Sequence, residues 1–271
     1  MITVGEWLRQ QSDLDRLDRE LLVCEAMGMS RAQVLAHPEA PLSAAAHERL
    51  ASWAARLRRG EPLAYLLGRR EFRGLSLEVC PAVLIPRPET ELLVDLALEL
   101  VRPGDRVLEL GTGSGAIAVA LAIGCGGREI ELTATDRSGA ALSVAKRNAQ
   151  AHGANVRWVR CDWLAGLRGT WQVILSNPPY VAEGDPHLPA LEHEPRSALC
   201  AGPDGLSDLR RIVTDAPGYL TPGGWLLLEH GWDQGPAVRN LMASAGLRDA
   251  QTLPDLAGQD RVTRGRRPQW T

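Results

Sequence analysis

Four residues after a buried-looking strand are the strongest chemical signal in this chain of 271 residues. The apolar run 173–175 leads, through one serine, to Asn177, Pro178, Pro179 and Tyr180. Prolines lack a backbone donor and fix φ, so the strand ends here and a stiff loop follows. The loop presents the Asn177 side-chain oxygen and the Pro178 carbonyl, two acceptors suited to an NH₂ group, beside the flat Tyr180 ring. Taken alone, a double proline is also compatible with a rigid loop that has no chemical role.

A glycine-rich turn is the second candidate for a binding site. In "RVLELGTGSGAIAVALA" the residues Gly111, Gly113 and Gly115 separate a predicted strand from a predicted helix. Glycine lets the backbone turn sharply and lets a ligand approach without a Cβ in the way. Asp136 ends the next predicted strand, where a carboxylate can accept hydrogen bonds from two ribose hydroxyls. Glu109 is a candidate for steadying the loop or binding an ammonium group. A tight turn beside a solvated aspartate is the alternative, but this context favours nucleoside binding.

Both loops belong to a segment in which predicted strands and helices alternate. The strands are expected at 106–110, 130–135, 156–160, 171–176 and 224–230, with a terminal pair at 247–252 and 261–266. The helices are expected at 89–101, 115–122, 138–151, 205–220 and 235–245. Such alternation predicts an α/β fold, a doubly wound, mostly parallel sheet with helices on both faces. Ligands bind at the carboxyl ends of the strands in that architecture, and both loops lie there.

The chain before this alternation has a different pattern. Apolar residues at helical spacing predict helices, with Gly28 ending one helix, Ser43 as the N-cap of another and Gly60 ending it. The stretch "REFRGLSLEV" predicts a β-hairpin with its turn at Arg73-Gly74.

Three domains follow from these patterns. Residues 1–68 are expected to form a small helical domain, and residues 69–88 a hairpin followed by a proline-rich linker. Residues 89–271 are expected to form the domain that carries both loops.

Composition excludes several classes of protein. Hydrophobic residues make up 45% and charged residues 23% of the chain, as in soluble globular proteins, and no apolar run is long enough to span a bilayer. The first ten residues lack the pattern of a signal peptide. The five cysteines show no CxxC and no histidine at ligand spacing, which predicts reduced thiols, no metal site and a cytoplasmic location. A net charge of −3 argues against a broad nucleic-acid-binding surface.

The glycine loop and its acidic partner resemble the class I S-adenosylmethionine-dependent methyltransferases. The G-x-G-x-G spacing is tighter than the G-x-G-x-x-G of dinucleotide sites. The resemblance implies a Rossmann-like domain in which residues 111–115 line the methionine and ribose portions and Asp136 holds the ribose. It also implies that Asp162 accepts from the adenine amine and that Trp163 packs on the adenine, although ordinary packing explains Trp163 equally well. The implied cofactor-binding residues are Gly111, Thr112, Gly113, Ser114, Gly115, Asp136, Asp162, Trp163 and Asn177.

The Asn-Pro-Pro-Tyr loop resembles that of amino-methyltransferases acting on glutamine amides, adenine and some guanines. Companion stretches from about Glu61 to Val262 narrow the resemblance to the release factor glutamine methyltransferase family (HemK/PrmC). They are "EPLAYLLGRREFRGLSLEV", "LIPRPETE", "LELGTGSGAIAVALA", "NPPYV", "EPRSALCAGPDGL", "PGGWLLLEHGWDQ" and "DLAGQDRV". "IPRPETE" is the most specific, because related ribosomal-protein glutamine methyltransferases differ there. "AGPDGL" departs from the two glycines that the family often has before the aspartate, and residues 123–128 are unusually rich in glycine.

The resemblance implies methyl transfer from S-adenosylmethionine to the glutamine amide nitrogen of the Gly-Gly-Gln motif in class I peptide chain release factors. S-adenosylhomocysteine is the implied product. A planar amide nitrogen is a poor nucleophile because its lone pair is delocalised, so catalysis is expected from positioning and polarisation. Asn177, Pro178 and Tyr180 are the expected catalytic residues, and Pro179 joins them in binding the substrate. We expect the helical domain to dock the release factor, with no membrane and no direct nucleic-acid substrate.

Three alternatives remain at this point. An amino-methyltransferase acting on a flipped nucleic-acid base would use the same loop, but would be expected to carry a basic groove or an added recognition domain. A glutamine methyltransferase acting on a ribosomal protein is a second alternative. A protein that binds S-adenosylmethionine without transferring its methyl group is a third, and the intact acceptor loop at 177–180 argues against it.

Overall fold

The computed structural model describes residues 2–269. The chain divides into two compact units, Met1–Arg69 and Arg70–Thr271. The hairpin therefore falls almost entirely within the second unit.

The N-terminal unit is helical, as its sequence predicts. Over the part that is described it contains five α-helices: α1 (Val4–Gln10), α2 (Arg16–Met27), α3 (Arg31–Ala36), α4 (Ala44–Arg58) and α5 (Leu63–Leu67). They surround an apolar core that includes Val4, Trp7, Leu22, Val23, Val34 and Leu50. Helices α3 and α5 are too short to show helical periodicity, which is why the sequence pattern did not reveal them.

Side-chain caps fix where these helices begin. Thr3 and Ser30 form capping boxes, in which the side chain and the backbone of the cap each make a hydrogen bond to the third helical residue. Ser43 accepts from the Ala46 amide and caps α4, as predicted. Gly28 ends α2 in the left-handed region at φ 65°, also as predicted.

A β-hairpin opens the second unit. Strands β1 (Arg69–Phe72) and β2 (Leu75–Glu78) flank a turn in which Arg73 and Gly74 both have positive φ, at 51° and 75°. Two left-handed residues are the requirement of a type I′ hairpin turn, and the predicted turn is confirmed. Phe72 and Leu77 are buried in the core of the second unit, so the hairpin is an integral part of it.

A seven-stranded sheet forms the centre of the second unit over the described residues. Its strands are β3 (Arg106–Leu110), β4 (Glu131–Asp136), β5 (Arg157–Arg160), β6 (Trp171–Ser176), β7 (Leu220–Glu229), β8 (Arg248–Pro254) and β9 (Asp260–Arg266). The order across the sheet is β5-β4-β3-β6-β7-β9-β8. The first five strands in that order are parallel, and β9 runs antiparallel to both β7 and β8.

Helices cover both faces of the sheet. They are α6 (Glu91–Leu100), α7 (Ala116–Gly124), α8 (Gly139–His152), α9 (Ser207–Asp215) and α10 (Gly235–Ser244). Alternate strand residues point to opposite faces. Val107 and Val173 accordingly join the core under α6 and α7, whereas Leu108 and Ile174 join the core under α9 and α10. The doubly wound α/β fold is confirmed.

Two boundaries differ from their predictions by several residues. The helix expected at 205–220 ends at Asp215 and continues only as a 3-10 turn, because Pro217 cannot supply the backbone donor. Strand β7 begins early, at Leu220, and reaches its regular register only after an irregularity opposite Trp171 and Val173. The strand therefore includes Pro222 and Gly223, which precede the predicted start at 224 and form part of this irregular segment.

The parallel register brings the carboxyl ends of four strands to one edge. Leu110 lies opposite both Thr135 of β4 and Ser176 of β6, and Asp136 lies opposite Arg160 of β5. The glycine loop, Asp136, the segment after β5 and the Asn-Pro-Pro-Tyr loop therefore meet there. None of the helices in the described range 2–269 is long and apolar enough to cross a membrane.

Candidate active site

A cavity opens at this edge between the loops that follow β3, β4, β5 and β6. Two further segments, one before α6 and one before α9, complete its wall. The lining residues are Ala82, Val83, Leu84, Gly111, Gly113, Asp136, Arg137, Ser138, Ala141, Cys161, Asp162, Trp163, Asn177, Pro179, Pro195, Ser197, Ala198 and Asp208. Each of the four loops thus contributes to the cavity at least one residue that the sequence singled out.

The glycine loop contributes backbone to the cavity. Gly111 and Gly113 line it, at φ 72° and 56°, and no side chain stands between their backbone and a ligand. Thr112 and Ser114 are buried, and a Cβ on Gly115 would lie 3.0 Å from the Cβ of Ala145 on α8. Of the five loop residues expected to line a cofactor, two line the cavity, whereas the other three hold the loop in shape.

Asn148 on α8 fixes the loop from behind. Its Nδ2 donates to the Ser114 carbonyl at 2.8 Å and to the Glu78 carbonyl at 3.0 Å, and its Oδ1 accepts from the Glu78 amide at 2.7 Å. The side chain is buried, and one residue thereby connects the glycine loop, α8 and the end of the hairpin. The sequence does not single out Asn148, because an asparagine in the middle of an amphipathic helix carries no distinctive signal.

Asp136 closes the loop from the front. Its Oδ2 accepts from the Gly113 amide at 3.0 Å and its Oδ1 accepts from the Ser138 amide at 2.8 Å. Each carboxylate oxygen has a further lone pair available, and the residue is only partly buried at the cavity wall. The carboxylate is thus held in a fixed orientation in which it can accept from vicinal hydroxyls.

Glu109 lies beneath the loop and is completely buried. Its Oε2 accepts from the Thr112 hydroxyl at 2.8 Å, and its Oε1 has no hydrogen-bond partner among the described residues. Burial raises the pKa of the Glu109 carboxyl to about 8. Of the two roles expected for Glu109, steadying the loop has direct support from its bond to Thr112.

The segment after β5 supplies a flat wall. Trp163 has φ 52°, its Nε1 donates to Asp208 Oδ1 at 3.1 Å, and its ring would lie 3.1 Å from a Cβ placed on Gly111. The ring therefore packs directly beside the glycine loop. Asp162 also lines the cavity and forms an ion pair with Arg211 at 2.7 Å.

These features fit S-adenosylmethionine, the methyl donor that the sequence resemblance implies. A nucleoside with a cationic sulfonium and an ammonium group requires acceptors for ribose hydroxyls, an apolar wall for adenine and an environment tolerant of positive charge. The cavity offers the oriented carboxylate of Asp136, the Trp163 ring, and further carboxylates at Asp162 and Asp208. No group of three or more metal-ligating side chains occurs within the described range.

Asn177 presents its amide to the cavity in a defined orientation. Its Nδ2 donates to Thr90 Oγ1 at 3.1 Å, so its Oδ1 is the group left to accept a hydrogen bond from a ligand. Asn177 is half-buried, and Pro178 and Pro179 are buried. Pro179 lines the cavity with Asn177, whereas Pro178 does not. Two prolines thus restrict the backbone after Asn177, and the Thr90 hydroxyl orients the Asn177 side-chain amide.

Tyr180 lies to one side of this arrangement. It does not line the cavity; its hydroxyl donates to Glu229 Oε1 across a long 3.4 Å, and its ring packs against the core under α9 and α10. Burial raises the pKa of the Tyr180 phenol. The carbonyl of Tyr180 accepts from Gln234 Nε2 at 3.0 Å. In this structure the residue fastens the loop to the end of β7, which differs from the flat substrate platform that its type suggested.

Glu229 is a buried acid that the sequence motifs do not single out. It ends β7, has no solvent exposure, and its Oε2 has no partner among residues 2–269. Burial raises the pKa of the Glu229 carboxyl to about 7, although the nearby hydroxyls of Thr90 and Tyr180 and the charge of Arg261 oppose the shift. The available signal was a glutamate closing an otherwise apolar run.

The segment before α6 is fixed against the loop that follows Tyr180. Arg87 forms a hydrogen-bonded ion pair with the buried carboxylate of Glu194, which also accepts from the Ile85 amide at 3.0 Å. Residues 82–84 thereby form part of the cavity wall, and Thr90 reaches Asn177. The proline-rich stretch expected to be a linker is a structural part of the site.

Comparison with known families assigns both units. Residues 6–68 match the PrmC N-terminal domain, and residues 88–193 match the methyltransferase small domain. The release factor glutamine methyltransferase of Xylella fastidiosa strain 9a5c is 49% identical over 261 residues, which cover 94% of each chain. The enzyme of the same name from Bordetella pertussis is 50% identical over 93% of this chain and 95% of its own.

Solved structures support the fold. A methyltransferase from Pyrococcus furiosus aligns with a TM-score of 0.56 and 21% identity, covering 80% of this chain and 99% of its own. The 16S rRNA N2 G1207 methyltransferase of T. thermophilus, solved with AdoMet and guanosine, also has a TM-score of 0.56, at 19% identity over 73% of this chain and 49% of its own.

The architecture, the cavity at the carboxyl edge of the sheet and the near full-length similarity agree with one another. The resemblance stated from the sequence motifs is confirmed, and the chain belongs to the release factor glutamine methyltransferase family.

Proposed function

We propose that this protein transfers a methyl group from S-adenosylmethionine to the side-chain amide nitrogen of a release factor glutamine, the one in the Gly-Gly-Gln motif of class I factors. One observation carries the proposal beyond family membership. The Asn177 amide is at the cavity wall, with its nitrogen engaged by Thr90 and its oxygen left to receive an NH₂ group.

The cofactor is S-adenosylmethionine, which supplies an electrophilic methyl group on a sulfonium when it is bound. Asp136 accepts from the ribose hydroxyls, and the exposed backbone of Gly111 and Gly113 lies along the remainder of the molecule. Trp163 packs on the adenine, and Asp162 accepts from its exocyclic amine. The fixed orientation of Asp136 supports this assignment, because both of its oxygens are already held by backbone amides.

The acceptor glutamine binds beside Asn177. Its NH₂ group donates to Asn177 Oδ1 and to the Pro178 carbonyl, which draws electron density toward nitrogen and aligns it with the methyl group. The double proline keeps both acceptors in place before the substrate arrives, so little reorganisation accompanies the reaction. Tyr180 acts through its bonds to Glu229 and Gln234, which keep the loop in position.

The partner is the release factor itself, and the N-terminal helical unit docks it. A single glutamine side chain offers little surface, whereas selective protein recognition typically buries about 800 Å² on each partner. The helical unit has its own apolar core and capped helices, so it is a stable surface for such contacts. No nucleic acid is a substrate in this proposal, and the enzyme acts in the cytoplasm.

A direct assay tests the function. The protein is incubated with S-adenosylmethionine and, in separate reactions, with a class I release factor, ribosomal protein and DNA, and the methyl group is located by mass spectrometry. The proposal expects one added methyl on the Gly-Gly-Gln glutamine of the release factor. Methylation of DNA or ribosomal protein, with the release factor unmodified, would refute it.

A further inference from the structure

Two large apolar side chains are strongly exposed in turns of the second unit. Trp232 is 65% exposed in the turn after β7, and Leu256 is fully exposed in the turn between β8 and β9. Neither belongs to any of the three apolar cores. Isolated surface hydrophobics are ordinary, but two strongly exposed ones on turns that are hydrogen-bonded to each other call for an explanation.

The strand directions place both turns at the same edge of the sheet. Strand β7 is parallel to β6, so the turn after Glu229 is at the edge that carries Asn177. Strand β9 is antiparallel to β7 and to β8, so the end of β8, and Leu256 just beyond it, lie at that edge also.

Arg261 joins the two turns to each other. Its Nη1 donates to the His230 carbonyl at 3.3 Å, and its Nε donates to Asp255 Oδ2 at 3.3 Å. The His230 amide donates in turn to the Arg261 carbonyl at 2.9 Å. Trp232 follows His230 by two residues and Leu256 follows Asp255 by one, so the two exposed side chains stand on one hydrogen-bonded base.

Gln234 joins this base to the acceptor loop. Its Oε1 accepts from the Gly231 amide at 2.9 Å, which closes the turn beneath Trp232. Its Nε2 donates to the Tyr180 carbonyl at 3.0 Å. The turn that carries Trp232 is therefore hydrogen-bonded to the loop at which the acceptor glutamine is proposed to bind, although neither Trp232 nor Leu256 lines the cofactor cavity.

We propose that Trp232 and Leu256 form a docking patch for the protein that carries the acceptor glutamine, and that they receive apolar side chains beside the glutamine loop. The inference rests on the proposed function and adds a second contact area, on the catalytic unit. Tryptophan is enriched among the residues that dominate protein interfaces, and a patch that is fastened to the acceptor loop fixes the register of the incoming loop. The cofactor needs no such surface, because its cavity lies elsewhere at this edge.

The test compares Trp232→Ala, Leu256→Ala and the double variant with Ile123→Ala. Ile123 is a matched control, since it is 43% exposed near the end of α7, a helix that runs from the glycine loop back to the opposite edge. The measurements are KM and kcat with intact release factor, the affinity for S-adenosylmethionine, and the rate with a short Gly-Gly-Gln peptide. All three side chains are exposed, in two turns and near a helix end, so the four variants are expected to fold as the wild type does.

The double variant is expected to raise KM for intact release factor at least about tenfold, the scale of losing an interface hot spot. Its kcat, cofactor affinity and peptide rate should equal those of the wild type, and Ile123→Ala should change none of the four. A wild-type KM in the double variant would overturn the inference, as would an equal loss with the short peptide. If the wild-type enzyme does not methylate the release factor, the proposed function fails, and with it the release factor as the partner of this patch. If the wild type methylates the release factor and the double variant has an unchanged KM, only the docking patch fails.

Discussion

Replacing Asn177 by alanine separates the chemical step from cofactor binding. The side chain contributes one acceptor at the cavity wall, and its orientation is set by the 3.1 Å bond from Nδ2 to Thr90 Oγ1. Removal of one preorganised polar group from an active site typically costs about a hundredfold to a thousandfold in kcat, or about 3 to 4 kcal/mol. We expect Asn177→Ala to lose at least about a hundredfold in kcat. Cofactor affinity should change little, because Asp136, Gly111 and Trp163 remain.

Two further variants locate the effect within the hydrogen-bonded chain. Thr90→Val keeps the shape of the buried residue but removes the hydroxyl that orients the amide, and we expect an intermediate loss in kcat. Asn177→Asp keeps an acceptor oxygen, and the Thr90 hydroxyl can then act as the donor, so we expect some activity to remain. Single-turnover transfer at saturating S-adenosylmethionine measures the chemical step, and calorimetry measures cofactor affinity.

A near-normal kcat for folded Asn177→Ala would refute the mechanism. A loss explained entirely by weaker cofactor binding would refute it as well, because Asn177 would then act in the ground state. If Thr90→Val were as active as the wild type, the orientation of the amide would not depend on the hydroxyl.

Three other predictions address the cofactor, the buried acids and the helical unit. Asp136→Ala should weaken S-adenosylmethionine binding by about 1 to 3 kcal/mol, and an unchanged calorimetric affinity in a folded variant would remove the ribose assignment. The folded-state pKa values of Glu229 and Glu109, about 7 and about 8, lie above the ordinary 4.5, so the folded protein holds these protons more tightly than the unfolded chain does. As far as these groups decide it, stability should be greatest below pH 4.5, where both carboxyls are protonated in the folded and the unfolded chain. It should fall between pH 4.5 and the folded-state pKa of each group, about 7 for Glu229 and about 8 for Glu109, by up to about 1.4 kcal/mol per pH unit for each group, and level off above that pKa. Denaturant melts that are equally pH-dependent in the Glu109→Gln, Glu229→Gln double variant would contradict this. A chain beginning at Arg70 should bind S-adenosylmethionine but lose most transfer to intact release factor, and full activity in that truncated protein would refute docking by the helical unit.

Much of the fold follows from local patterns in the sequence. The strand β3, the glycines after it and the helix α7 occupy one continuous stretch, so their order and spacing are visible without any tertiary information. The hairpin turn at Arg73-Gly74 is also visible in the local sequence. Gly74 readily adopts one of the two left-handed conformations that this turn requires. The irregular start of β7 is not visible in the sequence, because its pairing with β6 overrides the local preference of Pro222 and the following glycines for a turn.

The candidate site divides in the same way. Asp136 and Asn177 end predicted strands, and a parallel sheet must bring such positions to one edge, so their proximity could be predicted. Thr90, Asn148 and Glu229 could not be identified by that argument, because each acts through a contact with a residue distant in sequence. The expectation that Tyr180 forms a flat platform for the substrate rested on residue type alone. The contact of its hydroxyl with Glu229 depends on tertiary packing, which local sequence does not reveal.

The three hydrogen bonds of Asn148 make the glycine loop and the hairpin parts of one thermodynamic unit. A ligand that orders the Ser114 carbonyl stabilises the side chain that also holds the Glu78 amide and carbonyl. By linkage, the free energy by which bound cofactor stabilises the closed hairpin equals the free energy by which opening of the hairpin weakens cofactor binding. Glu78 is the last residue of strand β2 and precedes Asn148 by 70 positions. Its amide should therefore report whether the cofactor is bound. Hydrogen exchange at that amide should slow when S-adenosylmethionine binds, and the Asn148→Ala variant should abolish that response.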